Sequence, residues 1–162
     1  MNVDELQTDV AALGEALRAR GERLATAESC TGGLIAAACT AVAGSSDWFE
    51  RGVVTYSNEA KTELLDVPAA LIARHGAVSE PVARAMAAGA LARSPAQWAI
   101  AVTGVAGPGG GTPDKPVGMV WLAWGRADRL QAERLQLAGD RSAVRRQTVQ
   151  IALQRLADAL RQ

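Results

Sequence analysis

The sequence predicts a three-layer α/β/α fold whose mixed, mostly parallel sheet carries an antiparallel hairpin. Three observations predict it. Short β-type runs alternate with helical-period segments as far as Val102, a pattern that requires crossover connections and parallel pairing. Two further β-type runs, Val117 to Trp124 and Leu130 to Leu137, follow one another across a tight turn and read as an antiparallel pair. The 162 residues hold no internal repeat, low-complexity tract or linker, so one domain spanning 1–162 with a single substantial core is expected.

Val3, Leu6, Val10, Leu13 and Leu17 recur at helical spacing and mark one buried face, and Arg20-Gly21 ends that helix. Residues 23–28 read as a short strand. Ser29-Cys30-Thr31-Gly32-Gly33 then leads into an alanine-rich helix from Leu34 to Val42 that stops at Gly44. Gly52-Val53-Val54-Thr55-Tyr56 has the β-branched and aromatic bias of a strand. Asn58 is expected to cap a short helix carrying Lys61, Leu64 and Leu65, and Pro68 opens another short helical piece. Ser79-Glu80-Pro81 starts a helix reaching about Arg93, and Trp98 to Val102 is a buried strand. A glycine-rich loop from Thr103 to Pro116 precedes the hairpin. Asp140 caps the last helix, whose inward stripe is Val149, Leu153, Leu156 and Leu160. The order reads α-β-α-β-α-α-β-β-β-α. In such sheets ligands bind beyond the carboxyl ends of the strands, where Ser29, Tyr56 and Thr103 fall.

Composition narrows the partners. Lys plus Arg is 17 and Asp plus Glu is 17, so there is no overall basic field to hold a nucleic acid. No apolar run reaches a membrane span, and Asp4 and Glu5 near the start do not suit a signal peptide. Cys30 and Cys39, placed on one helix, would stand about 13 Å apart, too far for a disulfide, and two reduced thiols fit a cytoplasmic location. With one histidine, no HExxH and no Cys-x-x-Cys, neither a metal site nor a cofactor is expected.

Ser29 ends a strand and precedes a Gly-Gly pair at a helix start, a layout that exposes a nucleophile beside free backbone N–H groups. The same pattern fits Ser29 or Thr31 as an ordinary helix cap. The sole histidine, His75, sits at a helix end and reads as a surface residue there. Lysine can serve as base if burial lowers its pKa from about 10.4; reaching about 7.5 requires roughly 4 kcal/mol of differential destabilisation of the ammonium. The chain has only two lysines, Lys61 and Lys115, against 15 arginines, and arginine cannot act as a base. Pattern alone also fits Lys61 as an exposed helix lysine. The loop with Thr103, Gly104, Gly107, Gly109 and Gly110 can bring backbone N–H groups to an anion, or be a plain connection. Lys115 beyond it, and Arg141 and Arg145 one turn apart on the last helix, are phosphate candidates or solvated cations. Cys30, without a histidine partner, reads as a small core residue, as do Trp98, Trp121 and Trp124.

Several segments together are more specific. Ala27-Glu28-Ser29-Cys30-Thr31-Gly32-Gly33, Gly44-Ser45-Ser46-Asp47-Trp48-Phe49 and Val54-Thr55-Tyr56-Ser57-Asn58-Glu59-Ala60-Lys61 resemble the CinA C-terminal domain family. So do His75-Gly76-Ala77-Val78-Ser79-Glu80, Thr103-Gly104-Val105-Ala106-Gly107-Pro108, Lys115-Pro116-Val117-Gly118 and Gly139-Asp140-Arg141 with Arg145-Arg146-Gln147. The resemblance runs from about residue 5 to 160, in order and at familiar spacing.

It implies nicotinamide-nucleotide amidase activity: nicotinamide mononucleotide and water give nicotinic acid mononucleotide and ammonia. The family's serine–lysine dyad and nearby tyrosine match Ser29, Lys61 and Tyr56 without departure. The implied route is acyl transfer, with Lys61 as base and an oxyanion held by N–H groups near Cys30 and Thr31, and Cys30, Thr31 and Gly32 are expected among the substrate-binding residues. Many relatives carry a second, N-terminal domain, for which this chain has no room. A non-catalytic nucleotide-binding module, or an amidase for another small amide or the riboside, are the competing readings. A small nucleotide partner and a homo-oligomeric state are expected, with no nucleic acid or membrane.

Overall fold

The computed structural model describes residues 3–162, with side chains from residue 5 onward, so the side chain of Val3 lies outside the described residues. Its helices are α1 (Val3–Arg20), α2 (Leu34–Thr40), α3 (Asn58–Leu65), α4 (Ala69–His75), α5 (Glu80–Ala92) and α6 (Arg141–Leu160). Its strands are β1 (Leu24–Glu28), β2 (Phe49–Val54), β3 (Trp98–Gly104), β4 (Met119–Arg126) and β5 (Arg129–Gln136). Three helices separate β2 from β3, among them the short α4 that follows Pro68, which was expected as a helical piece but has no letter in the order read from the sequence.

The sheet order is β2-β1-β3-β4-β5. β1 pairs parallel with β2 and β3, whereas β3–β4 and β4–β5 are antiparallel. Four strands therefore share one direction and β4 alone opposes them, the mixed sheet expected. The hairpin closes on Ala127-Asp128, since Arg126 pairs with Arg129.

Strand alternation divides the interior by side-chain size. Leu24, Trp98, Ile100, Val102, Val120, Leu122 and Trp124 pack with Val10, Leu13 and Leu17 of α1 and with Val149, Leu153, Leu156 and Leu160 of α6. The opposite face is Ala25, Ala27, Ala99, Ala101 and Ala123, against Val82, Ala83, Met86, Ala87 and Ala90 of α5. Small side chains on both partners let α5 lie close to the sheet, and Gly89 makes room for the Leu65 carbonyl. Trp98 and Trp124 are core residues, as expected, and Trp121 packs on the alanine face.

Local signals fixed most ends. Gly21 takes φ +64° immediately after α1, and the Asp140 carboxylate accepts from the Ala143 N–H at the start of α6. Ser57, not Asn58, caps α3, accepting from the Ala60 N–H, and Asn58 is the first helical residue. Cys30 stands in the turn before α2 and only Cys39 is helical; both are buried free thiols. Among the described residues no helix is long and apolar enough to cross a membrane.

Candidate active site

The parallel register sets the position of the site. Glu28 pairs with both Val54 and Val102, so β1 and β2 end level beside Val102, and Ser29, Thr55 and Thr103, the last still within β3, stand side by side. Backbone bonds extend this registration one step: the Ser29 N–H donates to the Val102 carbonyl and the Thr55 N–H to the Glu28 carbonyl. Ser29 and Lys61 lie 32 residues apart in sequence but meet at 3.0 Å between Oγ and Nζ.

Lys61 is 1% exposed, although it lies in the first half of a short surface helix. Its Nζ also lies 2.9 Å from the Thr55 carbonyl, and 3.5 Å from those of Tyr56 and Ser57. Burial pushes its pKa below the ordinary lysine value, while the Cys30 thiol beside it acts weakly the other way. A neutral amine suits these neighbours. Its two N–H groups can serve carbonyls, and its lone pair can accept the Ser29 hydroxyl proton.

The turn from Ser29 to Gly33 is held from two sides. Glu28, 1% exposed, turns its carboxylate onto the start of α2, accepting from Thr31 Oγ1 at 2.6 Å and from the N–H groups of Ile35 and Ala36 at 2.8 and 3.0 Å. Arg145 donates from Nε to the Cys30 carbonyl and from Nη2 to the Thr31 carbonyl, each at 3.1 Å. Gly32 takes φ +59° and its N–H donates to the Ser29 carbonyl. Glu28 went unassigned in the sequence reading. The signal was available, because an acid at the end of a strand buried along its whole length must find partners.

A cleft of ≈ 290 Å³ opens over the dyad. Its walls include Ser29, Cys30, Tyr56, Lys61, Thr103, Gly104, Gly107, Gly109, Gly110 and Arg141 from the sequence candidates, together with Asn58, Ala77, Val78, Val105 and Ala106, which the sequence did not single out. Tyr56 is 64% exposed and its hydroxyl accepts from Arg141 Nη2 at 3.2 Å. Arg141 also donates to the Gly107 carbonyl, tying α6 to the glycine loop. Thr103 is buried, its hydroxyl donating to the Ala77 carbonyl, so its side chain braces the wall. Thr31, Gly32, Lys115 and Arg145 do not line the cleft. Thr31 is spent on Glu28, Arg145 on the turn, and Lys115 reaches the His75 carbonyl at the end of α4.

Burial raises the Cys30 thiol to about 11 and the Cys39 thiol to about 12, so neither supplies a thiolate near neutral pH. Among the described residues no cluster of three or more His, Cys, Asp or Glu side chains is placed to hold a metal ion.

The CinA C-terminal domain model matches residues 6–160. The chain belongs to the CinA C-terminal domain family. It is 58% identical over 151 residues to the nicotinamide-nucleotide amidohydrolase PncC of Pseudomonas putida, covering 93% of this chain and 94% of that one. With the nicotinamide-nucleotide amidohydrolase PncC of Escherichia coli K12 it shares 53% identity over 145 residues, 89% of this chain and 88% of the relative. The crystal structure of the competence/damage inducible protein CihA from Agrobacterium tumefaciens superposes with a TM-score of 0.93 at 43% identity, over 97% of this chain and 96% of the other. In this chain the turn after β1 and the helix that follows β2 face each other, which places Ser29 against Lys61.

Proposed function

We propose that this chain is a nicotinamide-nucleotide amidase that hydrolyses nicotinamide mononucleotide to nicotinic acid mononucleotide and ammonia through a Ser29–Lys61 dyad. The observation that carries the reading is the buried lysine at 3.0 Å from a serine hydroxyl in an open cleft, in a chain whose close relatives bear that activity in their names. A structural lysine at this depth would be expected to pair with a carboxylate, whereas Lys61 meets a hydroxyl and carbonyls.

Lys61, neutral at rest, takes the Ser29 proton as Oγ attacks the carboxamide carbon. The oxyanion is held by N–H groups near Cys30 and Thr31, which donate to no backbone carbonyl among the described residues. The new ammonium of Lys61 passes its proton to the nitrogen as the C–N bond breaks, and ammonia leaves. Water then attacks the acyl-enzyme, with Lys61 again accepting a proton, and Ser29 is regenerated. The cationic pyridinium ring withdraws electrons from the carboxamide and favours attack. Arg141 and the N–H groups of the loop from Gly107 to Gly110 are the groups offered to the phosphate. Tyr56, on the rim beside Arg141, is suited to orient the nucleotide.

Ser29, Lys61, Tyr56 and Arg141 all line one cleft, so a single domain suffices. Buried protonated thiols suit the cytoplasm, and exposed Leu34, Val54 and Leu64 suit a homo-oligomer. The test is ammonia release from purified protein supplied with nicotinamide mononucleotide, compared with Ser29→Ala. We expect turnover in wild type and a loss of at least about a thousandfold in the variant, with binding of the product retained by calorimetry. Binding without turnover in wild type would instead make this a nucleotide-binding module.

A further inference from the structure

We propose that Lys115 is a positioning residue for the nucleotide cleft, tying the end of the glycine loop to residues 75–78 and so fixing the spacing of two of its walls. The proposal rests on the amidase reading and concerns how the substrate is received rather than how the dyad reacts. Ala77 and Val78 line the cleft, as do Val105, Ala106 and Gly107 of the loop. Three successive carbonyls hold the first wall, and each accepts from a different side chain. The His75 carbonyl accepts from Lys115 Nζ, the Gly76 carbonyl from Ser79 Oγ at 2.8 Å, and the Ala77 carbonyl from Thr103 Oγ1 at 3.0 Å. Ser79 is local and Thr103 belongs to β3, so these two set the wall on the sheet. Among the described residues Lys115 is the one side chain that hydrogen-bonds the loop of residues 105–116 to this wall.

The tie is anchored at both ends. His75 closes α4, and the last carbonyls of a helix have no partner within it. The Gly76 N–H serves the Ile72 carbonyl, and the His75 carbonyl turns to Lys115, a cation at the negative end of the helix. Gly76 takes φ +78° and leaves the room this needs, since a Cβ built there would stand 2.5 Å from Lys115 Nζ. On the loop side, the Lys115 N–H donates to Thr112 Oγ1 at 3.0 Å and its carbonyl accepts from the Thr112 N–H at 2.9 Å. None of the ion pairs among the described residues uses Lys115, so its charge serves the carbonyl alone. Without the tie, loop and wall can part. If the receiving arrangement is then populated about one-tenth of the time, apparent affinity falls about tenfold. Ser29 and Lys61 keep their own contact, so turnover of the bound substrate is spared. A phosphate ligand would act differently, through the phosphate alone.

The experiment compares wild type, Lys115→Met and Lys115→Arg for kcat and KM with nicotinamide mononucleotide, and for the Kd of nicotinic acid mononucleotide and of nicotinic acid riboside by displacement calorimetry. In Lys115→Met, KM and both Kd values should rise about 5- to 20-fold, the two Kd values by the same factor within about twofold, while kcat stays within about threefold. Lys115→Arg, which retains a cationic donor, should recover most of the loss. If Lys115→Met does not fold, Lys115→Gln is read by the same comparison of the two Kd values. A loss confined to the mononucleotide would make Lys115 a phosphate ligand and overturn the proposal. Unchanged Kd values would leave Lys115 a helix cap without influence on the cleft, and a fall in kcat with both Kd values kept would place its effect on the dyad; either result overturns the proposal as well. A wild type that releases no ammonia would instead defeat the amidase reading, and the two Kd values would still decide the role of Lys115.

Discussion

Residues 29–33 and residues 105–116 leave neighbouring strands at the same rim of the sheet and face the same cleft, yet they are held in different ways. The turn after β1 is gripped by Glu28 from one side and Arg145 from the other, with Gly32 closing back on Ser29. The loop after β3 has anchors near its ends, where Val105 bonds Met119 and Thr112 bonds Lys115, and one tie to α6 through Gly107. Between them, a side chain built on Gly109 would meet nothing within 4 Å. The contrast suits the reaction proposed above. A nucleophile and its oxyanion donors must hold a geometry to fractions of an ångström, whereas a loop that receives the rest of a substrate can adjust.

The largest break in the contrast would come at the base. Lys61→Arg should be nearly as inactive as Lys61→Ala, each losing about a hundredfold or more in acylation, because arginine keeps the charge but cannot shed a proton at working pH. Burial lowers the Lys61 pKa, and only the neutral amine accepts a proton. Wild-type acylation should therefore rise with pH up to that lowered pKa and then flatten. Single-turnover rates across pH measure both. A Lys61→Arg protein that keeps a substantial fraction of wild-type acylation would make Lys61 an anchor rather than a base.

Next is Glu28→Ala, which strands three donors in a buried turn, each costing about 1–3 kcal/mol when unsatisfied. We expect a stability loss of about 3 kcal/mol by urea unfolding, together with slower turnover. An unchanged midpoint would show that water or a shifted turn replaces the carboxylate easily.

The two glycines provide a direct comparison of turn and loop. At Gly32 the backbone sits at φ +59° and an added Cβ would stand 3.5 Å from Arg145 Nη2. Gly32→Ala should cost about 1 kcal/mol of backbone strain and lower kcat. Gly109→Ala should change stability by less than about 0.5 kcal/mol and act, if anywhere, on KM. Equal effects at the two positions would remove the distinction drawn between turn and loop.

The smallest effect is expected at Cys30. Its thiol, raised to about 11, stays protonated near neutral pH, so Cys30→Ala should keep turnover within about threefold and remain active after thiol alkylation. Complete loss in a folded Cys30→Ala protein would move the chemistry to sulfur.

Much of the molecule was legible in the chain itself, because the signals concerned are local. The 3.6-residue stripe of α6, the proline and glycine punctuation, and the β-branched runs reflect backbone preferences that a few adjacent residues settle. The order of helices and strands, the mixed sheet and the motifs of the CinA family could therefore be read in sequence. What the tertiary structure decided is which side chains meet. Lys61 and Lys115 look alike as sequence, and only packing buries one against Ser29 and sends the other to the His75 carbonyl. Arg141 and Arg145 differ by one helical turn, and the path of α6 past two loops sends the first to the cleft and the second to the nucleophile turn. Burial, desolvation and a 3.0 Å approach between groups 32 residues apart are properties of the packed chain, so the chemistry assigned to Ser29 and Lys61 arises only once the parallel register of β1, β2 and β3 has brought their neighbouring segments together.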